Sequence, residues 1–299
     1  MTVAGVGAVA YASVIERNAF TLRRFDLPVL PAGAPPIRVL HLTDLHLLPR
    51  QRRKIDWVRN LASLAPDLIL NTGDNLAHQD AVGPVLEALD PFAGLPGAFV
   101  MGANDYYAPT LKNPLNYLRH KDPNPTSPRL PTVQLIRGLT ERGWLDLNNA
   151  RAPLAVRGLD LDMVGVDDPH IGRDRYHHVS APARSDADLT VGVLHAPYSR
   201  VLDAMAADGA GLIIAGHTHG GQLAVPLVGA LVTNCDLDRH RAKGITRWWP
   251  GANGVPGSHA PADAAWMHVS AGLGTSPYAP VRFACRPEAS LLTLRPATD

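Results

Sequence analysis

This 299-residue chain has almost no net charge of either sign. Its 28 Lys and Arg balance 27 Asp and Glu, a formal net charge of +1. That removes any global electrostatic case for nucleic acid as a partner. Cysteine is scarce too. Cys235 and Cys285 lie fifty positions apart and form no CxxC unit, so they read as two buried or unpaired thiols. No internal repeat is visible, nor a second hydrophobic unit with its own boundary.

The opening "MTVAGVGAVAYASVI" carries no charge, but it falls short of the roughly 18–20 residues that cross a bilayer. It also lacks the basic region of a signal peptide. Three readings stay open: a helix packed on the domain, a peripheral membrane contact through residues 1–24, or a truncated membrane segment. Packing or peripheral contact is preferred over spanning. If the segment did insert, Arg17, Arg23 and Arg24 would keep the domain on the cytoplasmic side.

Hydrophobic residues make up 46% and charged residues 18%, a composition that suits a packed globular core. Residues 1–36 read as an apolar leader and a proline-rich linker, "LPVLPAGAPP" at 27–36. Residues 37–299 read as one α/β domain. "IRVLHLTD", "DLILNTGD" and "GAFVMG" are short buried strands. Between them, helices are expected over 52–64, where Ile55, Val58, Leu61 and Leu64 keep helical spacing, and over 81–90. This β-α-β-α-β rhythm predicts parallel pairing with right-handed crossovers. The five prolines of 112–131 suggest an excursion over the surface, and 133–142 a short helix. "APLAVRGLDLDMVGVDD" reads as two strands joined at Arg157-Gly158. "LTVGVLHAP" and "GLIIAGHTHGG" are strands around a helix at 199–207, and "AWMHVSAGLG" and "EASLLTLRP" are late strands. Two facing sheets in one domain is the economical sum.

Four of these strands end in metal-ligand types: Asp44 and His46, Asp74, His195, and His217 and His219. Ligands bind beyond the carboxyl ends of strands in open α/β sheets. In Asp-x-His and His-x-His, alternate side chains face one cavity. A lone strand-end His or Asp is usually solvated or hydrogen-bonded. Six of them at strand ends, flanked by Gly73, Gly216, Gly220 and Gly221, are harder to explain that way. The mixture of carboxylate and imidazole suits Mn, Fe or Zn and disfavours a calcium cage.

On "DLH" (44–46), "GDN" (73–75), "GVLHAP" (192–197) and "GHTHGGQ" (216–222), the chain resembles the calcineurin-like metallophosphoesterase superfamily. "VSAGLGTS" and "RFACRPEASLLTL" look most like its bacterial branch that often carries an N-terminal membrane or export segment. The resemblance covers about residues 37–297 and implies a four-layer α/β/β/α sandwich. It implies two divalent metal ions, one held by Asp44, His46 and His219 and the other by His195, His217 and an Asn, with Asp74 bridging. The implied chemistry is hydrolysis of a phosphomonoester, phosphodiester or pyrophosphate by a metal-bridging hydroxide. The leader and the tryptophan pair lean towards a membrane-associated or lipid-linked substrate.

One phrase departs from the family. "GAND" (102–105) stands where Gly-Asn-His followed by Asp or Glu is usual. A gapless match puts Ala103, which ligates nothing, at the Asn and Asn104 at the His. A one-residue slip keeps Asn104 as the second-metal ligand and puts Asp105 in the histidine's place, as a group acting on the leaving oxygen. The slip is preferred, since it needs only a local change in the turn. The alternative function is a catalytically weak, single-metal binding or scaffold protein of the same fold; a third reading is a mononuclear hydrolase.

Weaker candidates have competing structural explanations. His78 could face the cleft or start a helix in solvent. "GVDDPH" could place Asp168 or His170 at the rim or simply mark a turn. Arg137, Arg173 and Arg175 could bind a second phosphate, as could any surface arginine. "RWW" (247–249) could meet lipid or substrate, or pack in the core.

Overall fold

The computed structural model describes residues 3–110, 127–226 and 228–297. The first 15 of the 20 residues expected to wander over the surface, 112–126, lie outside the described residues. Two six-stranded sheets carry the fold. The first contains β1 (Thr21–Leu30), β2 (Ile37–Leu42), β3 (Leu68–Asn71), β4 (Gly97–Phe99), β5 (Leu145–Asp146) and β14 (Glu288–Pro296), in the order β1-β14-β2-β3-β4-β5. The second contains β6 (Ala150–Val156), β7 (Leu159–Gly165), β8 (Leu189–Val193), β9 (Leu212–Ala215), β12 (Gly244–Trp248) and β13 (Ala265–Val269), in the order β12-β13-β9-β8-β7-β6. A small hairpin, β10 (Ala224–Val225) with β11 (Gly229–Ala230), stands apart.

The strands are apolar on both faces because both faces are covered. In β3, Leu68 and Leu70 point into the core between the sheets, while Ile69 points to the helices. In β9, Leu212 and Ile214 meet that same inner core, and Ile213 and Ala215 face away from it. Helices α2 (Arg52–Asn60), α3 (Val82–Leu89) and α5 (Thr132–Thr140) cover the outside of the first sheet through Ile55, Val58, Val85, Leu89, Leu135 and Leu139. Helix α6 (Ser199–Ala207) covers the second through Val201, Leu202 and Met205. The result is the expected four-layer α/β/β/α sandwich. Strands β2, β3, β4 and β5 run parallel, as do β7, β8, β9 and β13. Their carboxyl ends therefore gather along one edge.

One expectation needs correction, and one open choice is decided. Leu27–Leu30 is not linker: Thr21–Leu30 is an edge strand paired in parallel with β14, with an irregularity between Pro28 and Leu30. Proline is tolerated on an edge because no second neighbour needs its missing N–H, which is why proline misled the reading. "RWW" is not a surface patch. Arg247 and Trp248 end β12, and Trp248 is fully buried and donates Nε1–H to Asp203.

The leader forms α1 (Val3–Ala10), a wider turn at Tyr11–Ile15 and a 3₁₀ turn at Glu16–Asn18. It packs at Ala12 and Glu16: the Arg282 N–H donates to the Ala12 carbonyl, and the Cys285 N–H to Glu16 Oε1. No helix among the described residues is long and apolar enough to cross a membrane.

Candidate metal centre

Past the ends of β2 and β3 the chain folds into two interlocked turns. The Asp44 N–H donates to the Gly73 carbonyl, and those of His46 and Leu47 to Asp74 and Asn75. Five of the six strand-end residues sit at positive φ: Asp44 (51°), His46 (38°), Asp74 (53°), His217 (68°) and His219 (49°). Such residues without glycine's freedom are uncommon and cluster where function over-determines the backbone. Glycine supplies the close approaches. A Cβ on Gly102 would collide with Asp74 Oδ1 and His195 Nε2, and one on Gly272 with Asp44.

These turns bring all six side chains together, each almost wholly buried. Asp44, His46 and His219 form one group of converging donor atoms, and Asp44, Asp74 and His195 another, each within 4.8 Å. His46 Nε2 lies 3.2 Å from His219 Nε2, and His217 Nδ1 3.3 Å from His195 Nε2. Asp74 Oδ2 lies 3.4 Å from His46 Nε2 and 3.5 Å from His195 Nε2, so one oxygen meets both groups. Asp44 Oδ2 accepts from the Thr43 hydroxyl and the His217 N–H, while the buried Oδ1 has no hydrogen-bond partner. An orphaned carboxylate oxygen among imidazole nitrogens fits a cation of the Mn, Fe or Zn class.

Neighbours orient the imidazoles. His195 donates Nδ1–H to the Thr72 carbonyl at 2.6 Å, which leaves Nε2 for the cleft. His217 donates Nε2–H to the Asn234 carbonyl, leaving Nδ1. Partners of this kind fix ring and tautomer at metal sites. His219 Nδ1 faces Arg282 Nη2 at 3.3 Å.

Electrostatics follow burial. It pushes the Asp44 carboxyl up to about 6, with Asp74 adding to the shift and His195 opposing it. It pushes His46 down to about 4, and it drives His217 and His219 well below the usual imidazole value. Burial works against charge on His195 and Asp74 as well, yet here their attraction wins. Asp74, Asp168 and Asp44 hold His195 well above the usual value, and His195 and His46 hold Asp74 well below it.

Asn104, in the short helix α4 (Ala103–Tyr106), reaches this cluster. Its N–H donates to Asp74 Oδ1 at 2.7 Å, and its side-chain amide lies 3.0 Å from Asp74 Oδ2. Asp105 does not. Its buried carboxylate accepts from the N–H groups of Asn75, Leu76 and Gly102 and from the Asn75 amide. Asp105 therefore caps its own turn, three residues after Gly102, and its oxygens face backbone rather than cleft. This corrects the expectation that Asp105 stands in for the histidine. Burial, then Asp74, raises it to about 7.

Of the weaker candidates, His78 is exposed and accepts from the Asp80 N–H, a local cap. Asp168 is buried and caps the turn at Pro169–Ile171; burial raises it to about 7, with His195 opposing and Asp74 adding. That turn also brings the His170 ring to 4.6 Å from that of His217. Arg173 lies over the Tyr106 ring and pairs with Asp167. Arg175 bonds to the Gly172 and Asp174 carbonyls, and Arg137 lies exposed on α5.

Two buried cations beside this cluster escaped the sequence reading. Lys54 donates to the Leu45 carbonyl at 2.7 Å, and Arg282 to those of Ala271, Gly272 and Gly274. Burial, then Arg282 and Arg17, pushes Lys54 down to about 7. Lys54 carried a signal, since with Val58 and Leu61 it keeps the i, i+4, i+7 spacing of the apolar face.

Residues 37–221 match the calcineurin-like phosphoesterase family. The chain belongs to that family. Its members are phosphoester hydrolases, which accounts for an acidic and imidazole-rich cluster at the sheet edge. Over 307 residues the chain is 27% identical to phosphodiesterase YaeI of Escherichia coli, covering 98% of this chain and 95% of that one. It is 26% identical to the uncharacterized protein YpbG of Bacillus subtilis over 234 residues, 74% of this chain and 78% of the other. A dimetal phosphatase from Danio rerio superposes at a TM-score of 0.41 with 12% identity, over 80% of this chain and 88% of that one.

Proposed function

We propose that this phosphoesterase works with two divalent cations, Mn, Fe or Zn, and cleaves phosphodiesters. The observation that carries the reading is Asp74 Oδ2, within 3.5 Å of imidazoles from both donor groups. Asp74 rather than Asp44 would be the bridge, because the free Asp44 Oδ1 lies against imidazoles of the first group alone, 3.6 Å from His219 Nε2 and 3.9 Å from His46 Nε2. Asp44, His46 and His219 hold the first cation. His195, His217 and Asn104 complete the second, and Asn104 needs only a half-turn of its amide to present oxygen. When bound, two such ions supply Lewis acidity and a water acidic enough to act as nucleophile near neutral pH.

The protein's own residues fix the geometry around that chemistry. The Thr72 and Asn234 carbonyls hold His195 and His217 in their ligating tautomers. The interlocked turns hold Asp44 and Asp74 at the sheet edge, and the glycines let Gly102 and Gly272 approach without a side chain. Ala103 and Asn104 offer no proton donor to a leaving oxygen. The site is best matched to groups that depart without one, since an acid matters most when the leaving oxygen is basic. The relative named a phosphodiesterase supports the diester, and the exposed apolar leader supports a membrane-associated or lipid-linked one.

The test is metal content together with turnover of bis(p-nitrophenyl) phosphate after loading with Mn²⁺. Two ions per chain with hydrolysis is the expected result. One ion without turnover would establish the scaffold reading instead, and one ion with turnover a mononuclear hydrolase.

A further inference from the structure

Large apolar side chains left in water are unevenly distributed on this protein. Among the described residues eleven are exposed, and all but Val133 lie on three segments, 9–15, 223–231 and 278–283. The segments are stitched together. The Arg282 N–H donates to the Ala12 carbonyl, the Phe283 N–H to Gln222, the Ala224 N–H to Phe283, and the Gln222 amide to Ala279. Leader, hairpin and the 278–283 loop therefore make one face. Val14 on the leader is 66% exposed, and Val228 at the hairpin is 62% exposed. Contiguous apolar patches on a soluble surface mark contact with a partner or a membrane.

Charge selects between them. Residues 3–24, 221–232 and 271–287 contain one acidic side chain, Glu16, which is buried against the Cys285 N–H. The same stretches expose Arg23, Arg24 and Arg286; Arg23 pairs with the buried Glu288, which leaves Arg24 and Arg286 as the basic groups without an ion pair among the described residues. A protein that is nearly neutral overall thus carries a local face with apolar and basic groups and no exposed carboxylate. Two copies pressed together through such a face would bring two sets of basic groups together with no exposed carboxylate to offset them, because a twofold interface uses the same patch twice. An anionic lipid surface complements both features.

We infer that the leader, the 223–231 hairpin and the 278–283 loop form a docking face for an anionic lipid surface. The face is built onto the candidate metal centre. Leu223 follows His219 by four residues, and Cys285 Sγ reaches the His219 carbonyl. Docking there sets the metal-ligand loop beside the bilayer, where the phosphodiester headgroups of lipids lie. The inference rests on the hydrolase reading only for that last step.

Co-sedimentation of the full chain tests it, using vesicles of phosphatidylcholine alone and of phosphatidylcholine with an equal share of phosphatidylglycerol. The protein should pellet with the mixed vesicles, bind the neutral ones far less, and be released by added salt. Ile15→Asp with Val228→Asp should weaken binding on the order of tenfold or more. Both positions are exposed, so near-UV circular dichroism, metal content and turnover of the soluble aryl diester should be unchanged. No binding to the mixed vesicles, or equal binding by the variant, overturns the inference. So does a vesicle-free dimer that the variant abolishes, which would make the face a self-contact. Vesicle binding without diester turnover would fail the hydrolase reading alone, and turnover without vesicle binding would fail the docking face alone.

Discussion

The two halves of the candidate centre are built on opposite electrostatic plans. Behind Asp44, His46 and His219 stand buried cations: Lys54 and Arg282, both partnered by carbonyls rather than carboxylates. Behind Asp74, His195 and His217 stand buried carboxylates, Asp105 and Asp168, held by N–H groups. The imidazoles register the difference. His46 and His219 are driven towards neutrality by burial with the cations adding to it, and His217 by burial with His170 and His195 adding; of the four, only His195 is held above the usual imidazole value, by its acidic neighbours. Neutral imidazole is the ligating form, which His46, His217 and His219 favour and His195 resists. The denser negative charge of the second half favours the cation.

The largest effect should come from the residue that joins the halves. Asp74→Ala is expected to remove both ions and to lower turnover on the order of a thousandfold or more. Retention of two ions at unchanged affinity, measured by equilibrium dialysis and metal analysis, would separate the halves and sink the bridge. Next in size are the single-half changes. His219→Ala should deplete chiefly the first ion and His217→Ala chiefly the second. Identical patterns of loss would mean that the halves are one indivisible site.

Asn104→Ala should weaken the second ion by about 10–100-fold, the scale for a group that supports a metal site, with the first ion little changed. Loss from the first half instead would misplace Asn104. Asp105→Asn, by contrast, should lower stability by roughly 1–3 kcal/mol, the cost of disturbing buried hydrogen bonds. It should slow good and poor leaving groups alike, because its carboxylate caps a turn. An effect confined to poor leaving groups would restore Asp105 as a proton donor.

The effect on turnover is smallest at Lys54, where pH sharpens the contrast. Lys54 titrates near 10.5 when exposed and is pushed down to about 7 in the fold. Between those values the unfolded chain holds a proton that the folded one does not, so this group's contribution to stability rises with pH from about 7 to about 10.5 and is lost as pH falls through 7. Lys54→Met should flatten that alkaline slope in metal-free protein, by up to roughly 5 kcal/mol. It should also tighten the first ion severalfold, as a neighbouring positive charge is gone. An unchanged slope in thermal melts across that range would place the Lys54 proton elsewhere.

Much of the architecture was legible because it rests on local pattern. The apolar runs of β2, β3, β8 and β9, the helix at Ser199–Ala207 and the turn at Arg157-Gly158 all carry their instructions in neighbouring residues. β1 was hidden because its stability comes from β14, more than 250 positions away in the chain, while Pro28 argued locally against a strand. Lys54 and Arg282 were hidden for a related reason. A buried cation is stable only where carbonyls from distant loops surround it, and no local spacing reports those carbonyls.

The sequence alone determined the candidate ligands, Asp44, His46, Asp74, His195, His217 and His219, and their positions at strand ends, because side-chain chemistry and strand period are properties of single segments. The tertiary structure alone decided their geometry. It forced five of them into positive φ, aimed Asp74 Oδ2 at imidazoles from both halves, and turned Asp105 inward to cap its own turn. It also gathered three separate apolar segments into one face. Those outcomes depend on where two sheets place their edges relative to each other, a matter of packing between residues far apart in the chain.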